Sequence, residues 1–331
     1  MYEKKKRFQN KIAESRFSLV VTAFLCTCIW LLSGMLVPTS GWDLNSMVQA
    51  PLSSPILVTL PCLALSTYLI VELNNSNSLI RIYSRMVSCT FLVMMTMATF
   101  QYTSIRGAVI ALCTAFTYVM LFHCYQSSQS AGRVYYAFLS VGVASIFCIQ
   151  VVAFIPILWI LTATKLYAMN IKSFLASLFG LLTPYWFLGT YAIATGQQER
   201  LVNHFTEIAT FAPLFDYSML SLQQIVTGAF IVLCAIIGIT HYLRTRQRDR
   251  IRTQMLYEIF IIADIFAIAL IALQPQHYEP LLGIVVINTA PIFAHFIALT
   301  QTKWTNILTI VLMLLSLIIT LGNLWEHSLT F

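Results

Sequence analysis

Charged residues are scarce in this sequence. Asp, Glu, Lys and Arg together make up 9% of the 331 residues, whereas hydrophobic residues make up 59%. A typical soluble domain has roughly 25% charged residues, because its outer shell must be largely polar. The shortage of charge therefore excludes a soluble globular protein. The apolar residues occur in blocks of about 15 to 24, the length that crosses a hydrocarbon core of about 30 Å, and this pattern predicts an all-α transmembrane bundle.

The sequence also lacks the motifs of soluble catalytic domains. It contains no Walker A loop, no G-x-G-x-x-G segment after a strand and no zinc-binding motif. The longest predicted segment outside the membrane, residues 195–221, is too short for a soluble domain. The six histidines lack the close H-x-x-H spacing that would favour clustered iron ligands. We therefore predict no metal site and no cofactor.

Eleven apolar segments are predicted to cross the membrane. The nearly continuous apolar stretch 134–169 is divided around Ile155–Pro156, because a single helix of that length would exceed the thickness of a bilayer. The predicted spans are residues 17–37, 55–71, 86–101, 107–125, 134–151, 154–169, 173–194, 222–243, 255–273, 280–300 and 305–325.

The basic residues predict the orientation of these spans. With eleven spans, 17 of the 19 Lys and Arg residues lie on one side, and only Arg106 and Arg200 lie on the other. The side rich in Lys and Arg is cytoplasmic by the positive-inside rule, so we predict a bacterial inner-membrane protein. Basic residues that flank spans contact lipid headgroups, so nucleic acid is not a predicted partner. The predicted regions are a cytoplasmic N-terminus (1–16), a transmembrane domain (17–325), an extracytoplasmic loop (195–221) and an extracytoplasmic tail (326–331).

The extracytoplasmic loop carries the pattern of an amphipathic helix. In the segment 198–210, apolar residues recur at helical spacing, and Arg200, His204 and Glu207 fall on the opposite stripe. This pattern predicts a short helix that lies in the membrane interface. Its polar stripe faces either water or a cleft formed with Asp43 and the loop 274–279.

A cleft of that kind would suit the chemistry of phosphate-linked lipids. Arginine and histidine can neutralise a departing pyrophosphate, and a carboxylate can accept the proton of an acceptor hydroxyl. The alternative is a solvated helix that only anchors the protein at the interface. We predict Asp43 and His277 as catalytic residues, and the predicted substrate-binding residues are Arg106, Arg200, His204, Glu207 and Glu279.

A second group of polar residues falls inside the predicted spans. Ionisable side chains at membrane depth are costly and usually paired, so these residues predict an intramembrane polar network. The network could hold helices together, handle protons or ions, or contact a lipid substrate, and an Asp264 paired with Asn288 or His295 is one arrangement that fits the spacing. The predicted members are His241, Glu258, Asp264, Asn288 and His295. In the cytoplasmic loop, Arg81 and Arg85 either bind a lipid phosphate or simply hold that loop inside.

Four strings in the chain carry a resemblance to known proteins: VELNNSNSLIRIYSRM, LLTPYWF, LQPQHYEPL and NTAPIFAHFIALT. They resemble those of an uncharacterised family of bacterial polytopic inner-membrane proteins, and the likeness extends over nearly the whole chain. Another likeness rests on the run FIPILWILTATKLYAMNIKSFLASLFGLLTPYWF and on the Q-P-Q-H-Y loop before a Pro-containing span. These features resemble the GT-C class of glycosyltransferases, which use polyprenyl-phosphate sugars. This resemblance implies a lipid-linked glycan as partner and places Asp43 at the catalytic-base position.

Three functions remain open from the sequence. The leading hypothesis is an envelope-biogenesis protein that handles a polyprenyl-phosphate-linked glycan at the extracytoplasmic face, as a glycosyltransferase or polymerase. The second is a proton- or ion-coupled transporter that uses Asp264 and His295. The third is a non-catalytic scaffold with membrane-protein partners.

Overall fold

The computed structural model describes residues 7–36, 55–102, 104–127, 129–208, 213 and 215–329. Within these ranges the chain forms thirteen α-helices and no β-strand, so the predicted all-α class is confirmed. The helices are α1 (Phe8–Glu14), α2 (Ser18–Leu36), α3 (Ile56–Asn77), α4 (Met86–Met97), α5 (Ile105–Phe122), α6 (Ala131–Phe147), α7 (Ile155–Thr164), α8 (Ile171–Ala194), α9 (Gln198–Thr206), α10 (Leu222–Thr245), α11 (Ile251–Leu273), α12 (Tyr278–Leu299) and α13 (Lys303–Leu329).

Seven helices in the described part of the chain are long and apolar enough to cross a membrane: α3, α5, α8, α10, α11, α12 and α13. The pair α1 and α2, bent by 91° at the break between them, would make an eighth if it counts as one span. Three more apolar segments, Met86–Met97, Ala131–Phe147 and Ile149–Thr164, are shorter. Each of the eleven predicted spans overlaps one α-helix.

The long apolar stretch 134–169 is broken into two helices, as predicted, but the break comes earlier in the chain. Helix α6 ends at Phe147, Cys148 is extended with φ −150° and ψ 105°, and a 3-10 turn over Ile149–Phe154 leads into α7. Pro156 lies in the first turn of α7. A proline is tolerated there because the N–H that it lacks has no partner within the helix. Pro156 therefore begins a helix instead of separating two.

Helix α12 is the central helix of the bundle. It packs against α4, α5, α10 and α11, and every residue from Leu281 to Ala298 is buried. Gly283 lets α5 approach closely, since a Cβ atom there would lie 3.2 Å from the carbonyl oxygen of Gly107. The helices around α12 expose large apolar side chains, such as Phe179 and Trp186 on α8 and Ile318 on α13. An outer surface of that kind is typical of contact with lipid.

We name the two ends of the bundle after Asp249, which lies just before α11, and His277, which lies just before α12. Helix α11 runs from the Asp249 end to the His277 end, and α12 returns from the His277 end. Helix α1 docks at the Asp249 end, where the Gln9 Nε2 donates to the carbonyl oxygen of Ile297 and to the Thr300 hydroxyl.

Candidate functional site

A polar cavity of about 370 Å³ opens at the His277 end. Its volume falls within the roughly 300–1,000 Å³ of small-molecule sites. Segments that are far apart in the sequence contribute its polar lining: Ser104, Arg106, Glu207, Gln224, His277 and Glu279. The cavity therefore joins the start of α5, the segment after α9, the start of α10 and the loop before α12.

Three helices begin at this cavity. Arg106, Gln224 and Glu279 lie in the first turns of α5, α10 and α12, respectively. Ser104 caps α5 by accepting from the Gly107 N–H at 3.2 Å, and Ser221 forms a capping box with Gln224 at the start of α10. The N-terminus of each helix carries a partial positive charge. Arg106 and the three N-termini can bind an anionic group, and two carboxylates, Glu207 and Glu279, also line the cavity.

Hydrogen bonds fix the carboxylate side of the cavity. The Gln224 Nε2 donates to the Glu279 Oε1 at 3.1 Å, and the Gln101 Nε2 donates to the Glu279 carbonyl oxygen at 2.6 Å. The Tyr278 hydroxyl donates to the Gln224 carbonyl oxygen at 2.6 Å. Arg106 lines the same cavity. The carboxylate is thus held in place by hydrogen bonds, and a carboxylate positioned in this way can act as a proton acceptor.

The structure brings four of the seven predicted site residues into this one cavity: Arg106, Glu207, His277 and Glu279. Glu207 also lies close enough for its charge to act on His277. Arg200 is exposed and donates to the Gln197 side chain, and it does not line the cavity. The predicted catalytic residue Asp43 lies outside the described residues.

A helix is present at the predicted position as α9, a helix of nine residues. The sequence left its polar stripe facing either water or a cleft, and the structure turns one member of that stripe, His204, toward the bundle. The His204 ring lies 6.4 Å from that of Tyr185 on α8, and its Nε2 is 3.1 Å from the Ser145 carbonyl oxygen. Val202, which belongs to the predicted apolar stripe, is exposed. Helix α9 therefore turns His204 toward α6 and α8, and His204 does not line the cavity.

The predicted intramembrane residues fall into three groups. In the middle of the bundle, the Thr289 hydroxyl donates to both carboxylate oxygens of Asp264 at 3.0 and 3.2 Å. The Tyr118 hydroxyl donates to the Asn288 Oδ1 at 2.6 Å, and the Asn288 Nδ2 has no hydrogen-bond partner among the described residues. All four side chains are buried. The hydrogen bonds of Asp264 thus run to Thr289 and not to Asn288 or His295.

The second group lies at the Asp249 end. The buried His295 donates from Nε2 to the Asp249 Oδ2 at 3.1 Å, and the Arg81 Nε donates to the Oδ1 at 2.5 Å. The His241 ring lies 5.4 Å from that of His295. Burial raises the pKa of the Asp249 carboxyl, but the hydrogen bonds and charges of His295 and Arg81 outweigh burial, so the pKa lies below its usual value.

Glu258 forms the third group. It pairs with Lys165 at the end of α7 and, at 3.4 Å, with Arg246 after α10. Its partial exposure indicates an ion pair near the end of the bundle that ties α7 to α10 and α11. In the described part of the chain, no three His, Cys, Asp or Glu side chains are grouped so that they could hold a metal ion.

Several residues of these groups do not stand out in the sequence. Gln224 could have been found from the S-x-x-Q pattern of its capping box. Asp249 is the only acidic residue in the arginine-rich loop, a signal that a solvated loop equally explains. Thr289 and Tyr118 carry no signal, because hydroxyl side chains are common in apolar spans.

The comparisons with known proteins were negative: no family model, curated protein or solved structure matches the chain.

Proposed function

We propose that the chain is inserted in a bacterial inner membrane with eleven crossings, its N-terminus in the cytoplasm and its His277 end outside. Three observations support this topology. Successive apolar helices alternate between the two ends of the bundle, the outer helices expose large apolar side chains, and the Asp249 end holds the arginine-rich loop 244–252.

At the His277 end, this membrane protein binds a polyprenyl-phosphate-linked glycan and transfers the glycan to an acceptor. The observation that carries the proposal is the cavity where Arg106, Glu207, His277 and Glu279 meet three helix N-termini. Arg106 and the N-termini contact the lipid phosphate. An acceptor hydroxyl attacks the anomeric carbon while the bond from that carbon to the phosphate oxygen breaks and the lipid phosphate leaves. Asp43 takes the hydroxyl proton, by the resemblance to GT-C enzymes, and His277 donates a hydrogen bond to the leaving phosphate, whose charge Arg106 offsets.

The test measures binding and transfer of a polyprenyl-phosphate sugar by the purified protein in nanodiscs. We expect Arg106→Gln to weaken binding about tenfold, since hydrogen bonds to charged groups contribute about 1.5–3 kcal/mol. Arg200→Gln removes a charge from the same end outside the cavity and serves as the matched control. His277→Ala and Asp43→Ala are expected to lower transfer.

Equal binding by the Arg106 and Arg200 variants would remove the cavity from the proposal, and an inactive wild type would remove the transferase. The sidedness of the site is checked in the same experiment. A cysteine in place of Asn203 on α9 should react with a membrane-impermeant maleimide in intact cells.

Proton-coupled transport is the second candidate function. The observation that favours it is a fully buried carboxyl, Asp264, that lies mid-bundle and accepts from the Thr289 hydroxyl. The neighbouring Asn288 Nδ2 has no hydrogen-bond partner among the described residues. Carboxyl groups at membrane depth mark proton pathways in many transporters. In proteoliposomes with a trapped pH-sensitive dye, we expect a potassium diffusion potential to drive proton entry. Asp264→Asn should abolish this entry, because an amide cannot take up and release a proton. Asp216→Asn, in an exposed loop, is the control. A correctly folded Asp264→Asn protein with an unchanged rate would contradict this candidate.

A further inference from the structure

A second polar cavity, of about 500 Å³, lies at the Asp249 end. It is separate from the proposed glycan site, because the two cavities occupy opposite ends of α11. Three of its lining residues are arginines, and no carboxylate lines it; the polar residues that matter here are Asn74, Ser78, Arg81, Arg248 and Arg250. A cavity lined in this way carries net positive charge.

Two of the three arginines, Arg248 and Arg250, have no carboxylate partner among the described residues. Arg81 pairs with Asp249 through Nε, but the other oxygen of that carboxylate accepts from His295. Arginine side chains bind phosphate through parallel N–H donors. The cavity therefore favours an anion.

A buried amide adds a second, independent feature. Asn74 lines the cavity and is about nine-tenths buried; its Nδ2 donates to the Ser84 carbonyl oxygen at 2.9 Å. The Asn74 Oδ1 is buried and has no hydrogen-bond donor among the described residues. An unpaired buried acceptor costs free energy, and a hydroxyl group on the ligand would satisfy it.

We propose that the cavity at the Asp249 end binds a phosphate-bearing anion with a hydroxyl group, such as a glycerol phosphate headgroup. Arg248 and Arg250 bind the phosphate, and the Asn74 Oδ1 accepts from the hydroxyl. Arg81 lies between this ligand and the buried Asp249 and His295, so the ligand also contacts the ion pair that stabilises this end of the bundle. The group comes either from an anionic phospholipid or from a soluble glycerol phosphate.

The experiment titrates the full chain in phosphatidylcholine nanodiscs with dihexanoyl phosphatidylglycerol and, separately, with glycerol 3-phosphate, by calorimetry. The test variant is Arg248→Gln with Arg250→Gln. The matched control is Arg244→Gln with Lys303→Gln, which removes two positive charges from the same end but from outside the cavity. We expect about tenfold weaker binding for the test variant and unchanged binding for the control.

The two probes identify the source of the ligand. Binding of phosphatidylglycerol alone assigns the site to a lipid, and binding of glycerol 3-phosphate with the same dependence on the two arginines assigns it to a soluble phosphate. Asn74→Leu should weaken both. Wild-type protein that binds neither probe would overturn the proposal, as would a control that loses as much affinity as the test variant. Gel filtration confirms that each variant is folded.

Discussion

Gly180→Leu is expected to destabilise the protein by about 3 kcal/mol, at the upper end of the usual cost of overpacking. A Cβ atom on Gly180 would lie 2.5 Å from the Tyr135 carbonyl oxygen and 3.0 Å from the Leu139 nitrogen. Both atoms belong to the backbone of α6, so no side-chain rotation can relieve the clash. Helices α6 and α8 would have to separate, and close packing is what holds apolar helices together where lipid is the solvent.

Thermal unfolding in detergent, followed by circular dichroism, measures this effect. Gly132→Leu on α6 is the matched control, because nothing lies within 4 Å of a Cβ atom there. Leucine favours a helix over glycine by almost 1 kcal/mol, so the control should unfold at the same temperature or slightly higher. Gly180→Leu should unfold at a clearly lower temperature despite the same gain. Equal midpoints for the two variants would show that α6 and α8 do not pack as described.

The helices could be predicted from the sequence because blocks of apolar residues stand out from the polar segments between them. Each block long enough to be a predicted span overlaps an α-helix. The break before α7 lies earlier in the chain than predicted. A proline suggests the end of a helix, but Pro156 lies in the first turn of α7, where proline is tolerated. The central position of α12 could not be predicted, because its composition resembles that of the helices around it.

The candidate site could be predicted in part. Arg106, Glu207, His277 and Glu279 share one face in the predicted topology, and the structure places them in one cavity. Helical periodicity separated the two sides of α9, but it could not show which side packs on the bundle, so the contact of His204 with α6 could not be predicted. The contact between Asp249 and His295 spans 46 residues, so only the packing of α12 against the loop reveals it.

Removal of the Asp249 carboxylate is the second change with a large expected effect. Asp249→Asn replaces an acceptor that serves both Arg81 and His295 with a neutral amide. Breaking a buried ion pair costs about 3–5 kcal/mol. Asp249 and His295 are fully buried, but the Arg81 side chain is 36% exposed and can turn toward water. We therefore expect the lower end, about 3 kcal/mol, measured as the free energy of unfolding at pH 7. Asp216→Asn, whose carboxylate is exposed, should change little.

The pH dependence of this effect follows from the direction of the pKa shift. Burial opposes ionisation of Asp249, but His295 and Arg81 together lower its pKa in the folded protein. A carboxyl with a lowered pKa stabilises the fold above its unfolded pKa, which is about 3.9 for Asp, and that stabilisation disappears as pH falls through the folded value. The difference in stability between wild type and Asp249→Asn should therefore be constant above about pH 5 and should shrink below about pH 4. A difference that stayed constant down to pH 3 would mean that Asp249 is not the shared acceptor of Arg81 and His295, because only an ionised carboxylate can accept from both.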